Sequence, residues 1–305
     1  MLTWHLIDAF TDRPLRGNPA AVVVLPAGDW PAERWLQAVA TEMNQSETAY
    51  LLPGDAPGRW GLRWFTPAAE VELCGHATLA SAHLLWERGD VAADQPIVFG
   101  TRYRGELTCR RGGAGEITMR FPADAAERAE APGGLLEHLR LTAGDVVGVA
   151  RSRYDWLVEL PDVGAVRSLS PDFAGLAAVE TRGVIVSART KNEERRTRED
   201  EERDMSRSAP PSAFVLQPSP FHVVSRFFAP RLRIAEDPVT GSAHCVIGPY
   251  WFDRLGRDTL HCHQASPRGG ELTVTRDGDE HVLLAGHAVT VSRGELLTGP
   301  GTPAT

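Results

Sequence analysis

The polar residues best placed to do chemistry in this chain sit in two short loops. The first reads Glu70-Val71-Glu72-Leu73-Cys74-Gly75-His76 and the second Glu236-Asp237-Pro238-Val239-Thr240-Gly241-Ser242. In each, a glycine opens an apolar run and reads as a helix start, whose first amides have no intrahelical partner and carry partial positive charge. Two such starts facing one another would form a cleft for a carboxylate or another anion. Gly75, Ala77, Gly241 and Ser242 are its expected walls. His76 and Ser242, each just after its glycine, can point into that cleft. Ser242 beside free amides suits an oxyanion. Asp237 suits an amine or hydroxyl, or can polarise His76.

The elements that must position these loops repeat. Arg63-Trp64-Phe65-Thr66-Pro67 leads to Gly75 and a run ending Trp86-Glu87-Arg88; Arg226-Phe227-Phe228-Ala229-Pro230 leads to Gly241 and a run ending Phe252-Asp253-Arg254. Two related halves follow, each a short aromatic strand, a loop and a helix. The segments Ala77 to Trp86 and Ala243 to Phe252 are apolar nearly all round, so each is expected to be a central helix wrapped by a sheet. Pro249 predicts a kink or early stop in the second.

Around them the pattern is rich in strands, with stretches at Trp4 to Phe10, Ala20 to Leu25, Leu62 to Phe65, Ile97 to Phe99, Glu106 to Cys109 and Glu116 to Phe121. Later ones fall at Trp156 to Leu160, Gly183 to Ser187 and Val223 to Phe228, and a closing hairpin turns through Asp277-Gly278, followed by Ala288 to Val291. A helix between the second and third strands has Asp29 as its expected N-cap, Pro31 in the first turn, and an end near Asn44. The fold class is α+β, with a first half over residues 1–122 and a second over 123–300. Seven basic and seven acidic side chains crowd residues 189–208, so 189–221 reads as a charged flexible insertion.

Composition narrows the function. A chain of 305 residues with 42% hydrophobic content can fill two cores. Its net charge of -8 and pI near 5.7 argue against nucleic acid or an anionic membrane surface as partner. There is no run long enough to span a membrane and no basic, cleavable start, so a cytoplasmic protein is expected. Cys74, Cys109, Cys245 and Cys262 form no C-x-x-C pair, and in an extended His261-Cys262-His263 the two histidines share a face that Cys262 leaves. No metal ligand set is read from these spacings. Nucleotide and serine-hydrolase motifs are absent as well. A small molecule is the expected partner.

Gly17-Asn18-Pro19, Asn44-Gln45-Ser46-Glu47-Thr48, Cys74-Gly75-His76-Ala77-Thr78, Ser225-Arg226-Phe227-Phe228-Ala229-Pro230, Glu236-Asp237-Pro238-Val239-Thr240-Gly241-Ser242-Ala243-His244 and Arg268-Gly269-Gly270 run in order along most of the chain. Together they resemble the PhzF family, the phenazine-biosynthesis-like isomerases. The resemblance implies a diaminopimelate-epimerase-like fold: two pseudo-symmetric domains, each a curved, mostly antiparallel sheet around a central helix, with the final strand returning to the first domain. It also implies a homodimer, a small carboxylate-bearing substrate and a cofactor-free isomerisation in which one Glu moves a proton between carbons.

By that resemblance the acid/base is Glu47, and the other site residues are His76, Asp237 and Ser242. Glu47 after a helix end would otherwise read as a cap or a surface charge. A carboxylate suits the role, because partly apolar surroundings raise its pKa toward neutrality. Two alternatives stay open. Epimerases and racemases of this fold use two thiols, one per half, and Cys74 fits the first place. A metabolite-binding protein without catalysis is the other. The family pattern departs at His222, where an Asp often stands, and at Ala77, where the phenazine enzyme has Pro.

Overall fold

Runs of β-branched and aromatic residues alternate with the two apolar helices, and the resulting elements repeat in order. The computed structural model describes residues 2–190 and 219–299. Its first half holds β1 (Leu2–Ala9), β2 (Asn18–Val24), α1 (Glu33–Met43), β3 (Glu47–Pro53), β4 (Arg59–Phe65), β5 (Glu70–Val71), α2 (Gly75–Glu87), β6 (Ile97–Thr101), β7 (Gly105–Arg111) and β8 (Ile117–Pro122). After β9 (Glu127–Arg128) and α3 (Leu135–His138) come β10 (Gly148–Arg151), β11 (Asp155–Glu159), α4 (Val163–Ser168), α5 (Phe173–Leu176), β12 (Gly183–Arg189) and β13 (Val223–Phe228). The chain closes with α6 (Gly241–Leu255), β14 (Thr259–Gln264), β15 (Gly270–Asp277), β16 (His281–Gly286) and β17 (Ala288–Leu296).

Strand directions show the internal symmetry. From β1 through β2, β3, β4, β6 and β7 to β8, successive pairings run antiparallel, parallel, antiparallel, parallel, antiparallel, antiparallel. From β10 to β16 the same order recurs. Each parallel pair needs a crossover, and a helix or a helix pair supplies it: α1, α2, α4 with α5, and α6. β8 and β16 pair with one another at the centre. β9 then joins β10, and β17 returns to β1, so each half is finished by a strand that follows the other.

The main core encloses both central helices, with Leu79, Leu84, Leu85, Val246, Ile247 and Trp251 buried inside the curved sheet. Smaller cores lie outside it, under α1 in the first half and under α3, α4 and α5 in the second. Cys262 on β14 is buried while His261 on the opposite face is exposed, as the extended pattern requires. The charged stretch falls almost entirely outside the described residues. Its ends do not: the Thr190 hydroxyl donates to the Phe221 carbonyl, so chain leaves and re-enters at one place beside β12 and β13.

Two expectations are corrected. Asp29 does not cap α1, whose N-cap is Ala32 with no side-chain cap bond. Pro31 instead lies before the helix, and Trp30 packs under the Arg63 guanidinium, 5.4 Å from the ring centroid, which holds this stretch as loop. Nor does Pro249 end the second central helix, which runs on to Leu255. The carbonyl left without a helical donor by Pro249 is that of Cys245, and the Asp124 amide donates to it at 3.0 Å.

Candidate active site at the junction of the halves

The two loops are anchored alike. Arg63 on β4 grips Glu70 through two bonds of 2.7 Å, and Arg226 on β13 grips Glu236 through bonds of 2.7 and 2.9 Å. Each guanidinium also lies over the phenyl ring two residues on, Phe65 at 5.1 Å and Phe228 at 4.9 Å. Bidentate pairs this buried fix direction as well as distance, and removing one partner costs about 3–5 kcal/mol. The helices that follow begin against one another. A Cβ added to Gly75 would sit 3.6 Å from the Gly241 Cα, and one on Gly241 would sit equally near Gly75.

Glu47 reaches this junction because Asn44 ends α1 in the left-handed conformation, with φ 49°, and turns the chain straight into β3. As the first residue of β3 it pairs with Ala20 of β2 and lies beside the start of α2. Glu47 Oε2 stands 3.3 Å from His76 Nε2, and the geometry there makes no hydrogen bond, so among the described residues that buried nitrogen has no hydrogen-bond partner. On the ring's other side Nδ1 lies 3.4 Å from Cys74 Sγ and 3.3 Å from Asn18 Nδ2.

Asn18 ties the halves together. Its amide group donates at 2.9 Å to Asp237 Oδ1 and at 2.9 Å to the Val239 carbonyl. Thr240 donates its hydroxyl to the other Asp237 oxygen. Gln264 accepts from the Thr240 amide at 2.9 Å and donates to the Asp237 carbonyl at 2.7 Å.

Burial sets the charges. It pushes Glu47 up to about 8, the negative charge of Asp237 adds to the rise, and the Cys74 thiol opposes it. Asp237 is pushed up to about 6 by burial, against the Thr240 and Asn18 donors that favour its charged form. Burial lowers His76 to about 3, with the Pro19 carbonyl acting the other way. The Cys74 thiol is driven well above its usual range, first by burial and then by Glu47. These shifts favour a protonated Glu47, a thiol and a neutral imidazole at neutral pH, while the Thr240 and Asn18 donors favour the ionised form of Asp237.

The structure therefore brings Glu47, Cys74, Gly75, His76, Asp237 and Gly241 together. Ser242 is half-buried in the first turn of α6, and among the described residues its hydroxyl makes no hydrogen bond. The Ala77 side chain is fully buried in the main core, so only its backbone can serve a ligand. Sequence reasoning missed the roles of Asn18, Thr240 and Gln264. Asn18 and Thr240 lay inside motifs already noted, and Gln264 carried no signal.

Two half-sheets around abutting helix starts, with a buried carboxylate at the junction, are the architecture of the epimerase and racemase fold. The phenazine biosynthesis-like family, PhzC-PhzF, matches residues 7–294. An uncharacterized isomerase of Halalkalibacterium halodurans is 40% identical over 294 residues, covering 96% of this chain and 97% of that protein. A crystal structure of a PhzF-family phenazine biosynthesis protein from Enterococcus faecalis superposes with a TM-score of 0.81 at 33% identity, covering 97% of this chain and 99% of that one. The chain belongs to the PhzF family. A hydroxyproline epimerase from Agrobacterium vitis, at 11% identity and a TM-score of 0.54, covers 96% of this chain and 91% of its own and shares the fold.

Proposed function

We propose that this protein moves a carbon-bound proton on a small carboxylate-bearing metabolite, with Glu47 as the acid/base. The observation that carries the reading is the place of Glu47: a half-buried carboxylate beside paired helix starts, with its pKa pushed to about 8. The substrate carboxylate binds at the amides opening α2 and α6, with Ser242 free to donate to it. Asp237, ionised and held by Asn18 and Thr240, takes an amine or hydroxyl of the same molecule. A cationic amine there cancels the charge that helps raise Glu47, so substrate binding favours its ionised, basic form. Glu47 then removes the proton and returns it to another carbon, while neutral His76 orients the substrate beside it. Proton transfer of this kind needs no cofactor.

The thiol mechanism lacks its second member. Cys74 is the N-cap of α2, and Thr240 is the N-cap of α6, where the partner thiol would stand. The test is hydrogen exchange by NMR in deuterated water over a panel of cyclic and amino carboxylates. Exchange at a carbon position in the wild type and its loss in Glu47→Gln is the expected result. No exchange across the panel would turn the reading toward a binding protein.

A further inference from the structure

The contact between Glu47, Cys74 and His76 has a chemical meaning apart from proton transfer. These residues offer one carboxylate oxygen, one thiol sulfur and one imidazole nitrogen, all within 4.8 Å of one another. With zinc bonds of about 2.0 Å to nitrogen and oxygen and about 2.3 Å to sulfur, tetrahedral ligand atoms lie roughly 3.3–3.6 Å apart. The Glu47 to His76 separation of 3.3 Å already matches. Cys74 Sγ contacts the same ring at Nδ1, 3.4 Å away, and lies within 4.8 Å of the other two ligand atoms, so it must close in for the tetrahedron to form.

A second feature points to a ligand. His76 Nε2 is buried, lacks a hydrogen-bond partner among the described residues and lies 3.3 Å from Glu47 Oε2. Buried polar atoms are nearly always partnered, so an orphan nitrogen is either kept for a ligand or a standing cost. The donor set chooses the class of ion. A thiolate with an imidazole selects borderline and soft cations, Zn2+ above all, over Mg2+ or Ca2+, which take oxygen ligands.

We propose that Glu47, Cys74 and His76 form a three-ligand site for Zn2+ or a chemically similar divalent cation, with water in the fourth position, and that the ion inhibits the protein reversibly. As the metal–sulfur bond forms, the Cys74 proton leaves to solvent, and any proton on Glu47 leaves with it. The ion then occupies the carboxylate that proton transfer would use. That inhibitory consequence rests on the function proposed above; the ion site does not.

Co2+ is the probe for binding, using the full chain without an affinity tag. The expected result is one ion per chain, with the visible bands of a tetrahedral ion and a thiolate-to-cobalt charge-transfer band. Both disappear in Cys74→Ala and in His76→Ala, and both survive in His261→Ala, which removes an exposed histidine far along β14. Cys74→Ser, closer in size, guards against misfolding and is checked by its near-ultraviolet circular dichroism. It loses the charge-transfer band with its fold intact, and zinc affinity falls by more than the roughly 10–100-fold typical of a lost outer-shell partner. A charge-transfer band that persists in Cys74→Ala assigns the ion to Cys109, Cys245 or Cys262 and overturns the site. So does the absence of any band at saturating Co2+. Zn2+ should also suppress proton exchange on the substrate, and a chelator should restore it. A bound ion that leaves exchange untouched overturns the inhibition and the role of Glu47, while the binding site stands.

Discussion

Phe227 fills the space beside Gly183 that any side chain at that position would need. The relationship matters because Gly183 is the counterpart of Glu47. Thr48 pairs with Phe65 in the first half and Val184 pairs with Phe228 in the second, so the residues just before them, Glu47 and Gly183, match. The fold is nearly two-fold, and its chemistry is not. Thr240 stands opposite Cys74 and Ser242 opposite His76, so under the proposed function Glu47 is the one acid/base of the site.

A single base returns the proton to the face from which it took it. In deuterated water, product formed in early turnovers should keep part of the substrate's own hydrogen, and addition should occur on the face of removal. Complete washout together with inversion at the carbon would require a second base and would contradict the one-sided site.

The order of two substitutions separates carboxylate from thiol chemistry. Glu47→Gln keeps shape and hydrogen bonding but cannot take a proton, so turnover should fall by about 10²–10⁴-fold with little change in ligand affinity. Cys74→Ser should be mild, because that thiol is driven toward its protonated form by burial and by Glu47. A hydroxyl cannot replace a thiolate base, so a severe loss confined to Cys74→Ser would give the chemistry to the thiol.

The pH dependence follows from the same charges. For proton removal Glu47 must be ionised, so kcat/KM should rise through about 8. Asp237 must be ionised to hold an amine, so activity should fall further below about 6. His76, lowered to about 3, stays neutral across the assay range and should contribute no step. A profile flat from the acid side through neutrality and falling above it would contradict these assignments.

Much of this was legible, and what was hidden shares a cause. Arg63-Trp64-Phe65 and Arg226-Phe227-Phe228 announced the paired strands because the same clamp and ring contact are built twice from neighbouring residues. Gly75 and Gly241 announced the helix starts because each opens an apolar run directly after a polar loop. Asn18 and Gln264 could not be read from spacing, since their bonds to Asp237 and Thr240 depend on how distant strands meet. The early stop at Pro249 failed for a similar reason: the Asp124 amide that takes up the freed carbonyl comes from the chain just after β8.

Glu47 also makes stability depend on pH. Its folded pKa of about 8 lies above the ordinary 4.5, so between those values the folded chain holds a proton that the unfolded chain has released. Stability therefore declines as pH rises through that window and levels off above it. Glu47→Gln removes the effect. Its melting temperature should exceed that of the wild type by several degrees at about pH 9, and the gap should close toward about pH 4. A gap that is constant with pH would mean that Glu47 is not buried as a protonated acid.

Asn18 offers a test of the tie between the halves. Asn18→Ala removes the donor to Asp237 Oδ1 and to the Val239 carbonyl in a buried place, leaving Asp237 only the Thr240 hydroxyl on its other oxygen, at a cost of about 1–3 kcal/mol. The sharper expectation concerns charge. The Asn18 bond favours the ionised form of Asp237, so its loss should move that carboxyl further above 6 and carry the acid limb of the rate profile upward with it. Asn18→Asp should be worse, because it places a second carboxylate 2.9 Å from the first. A melting temperature that falls while the acid limb stays where it was would reduce Asn18 to a structural strut. Movement of both would show that the contact between halves also tunes the group that holds the substrate.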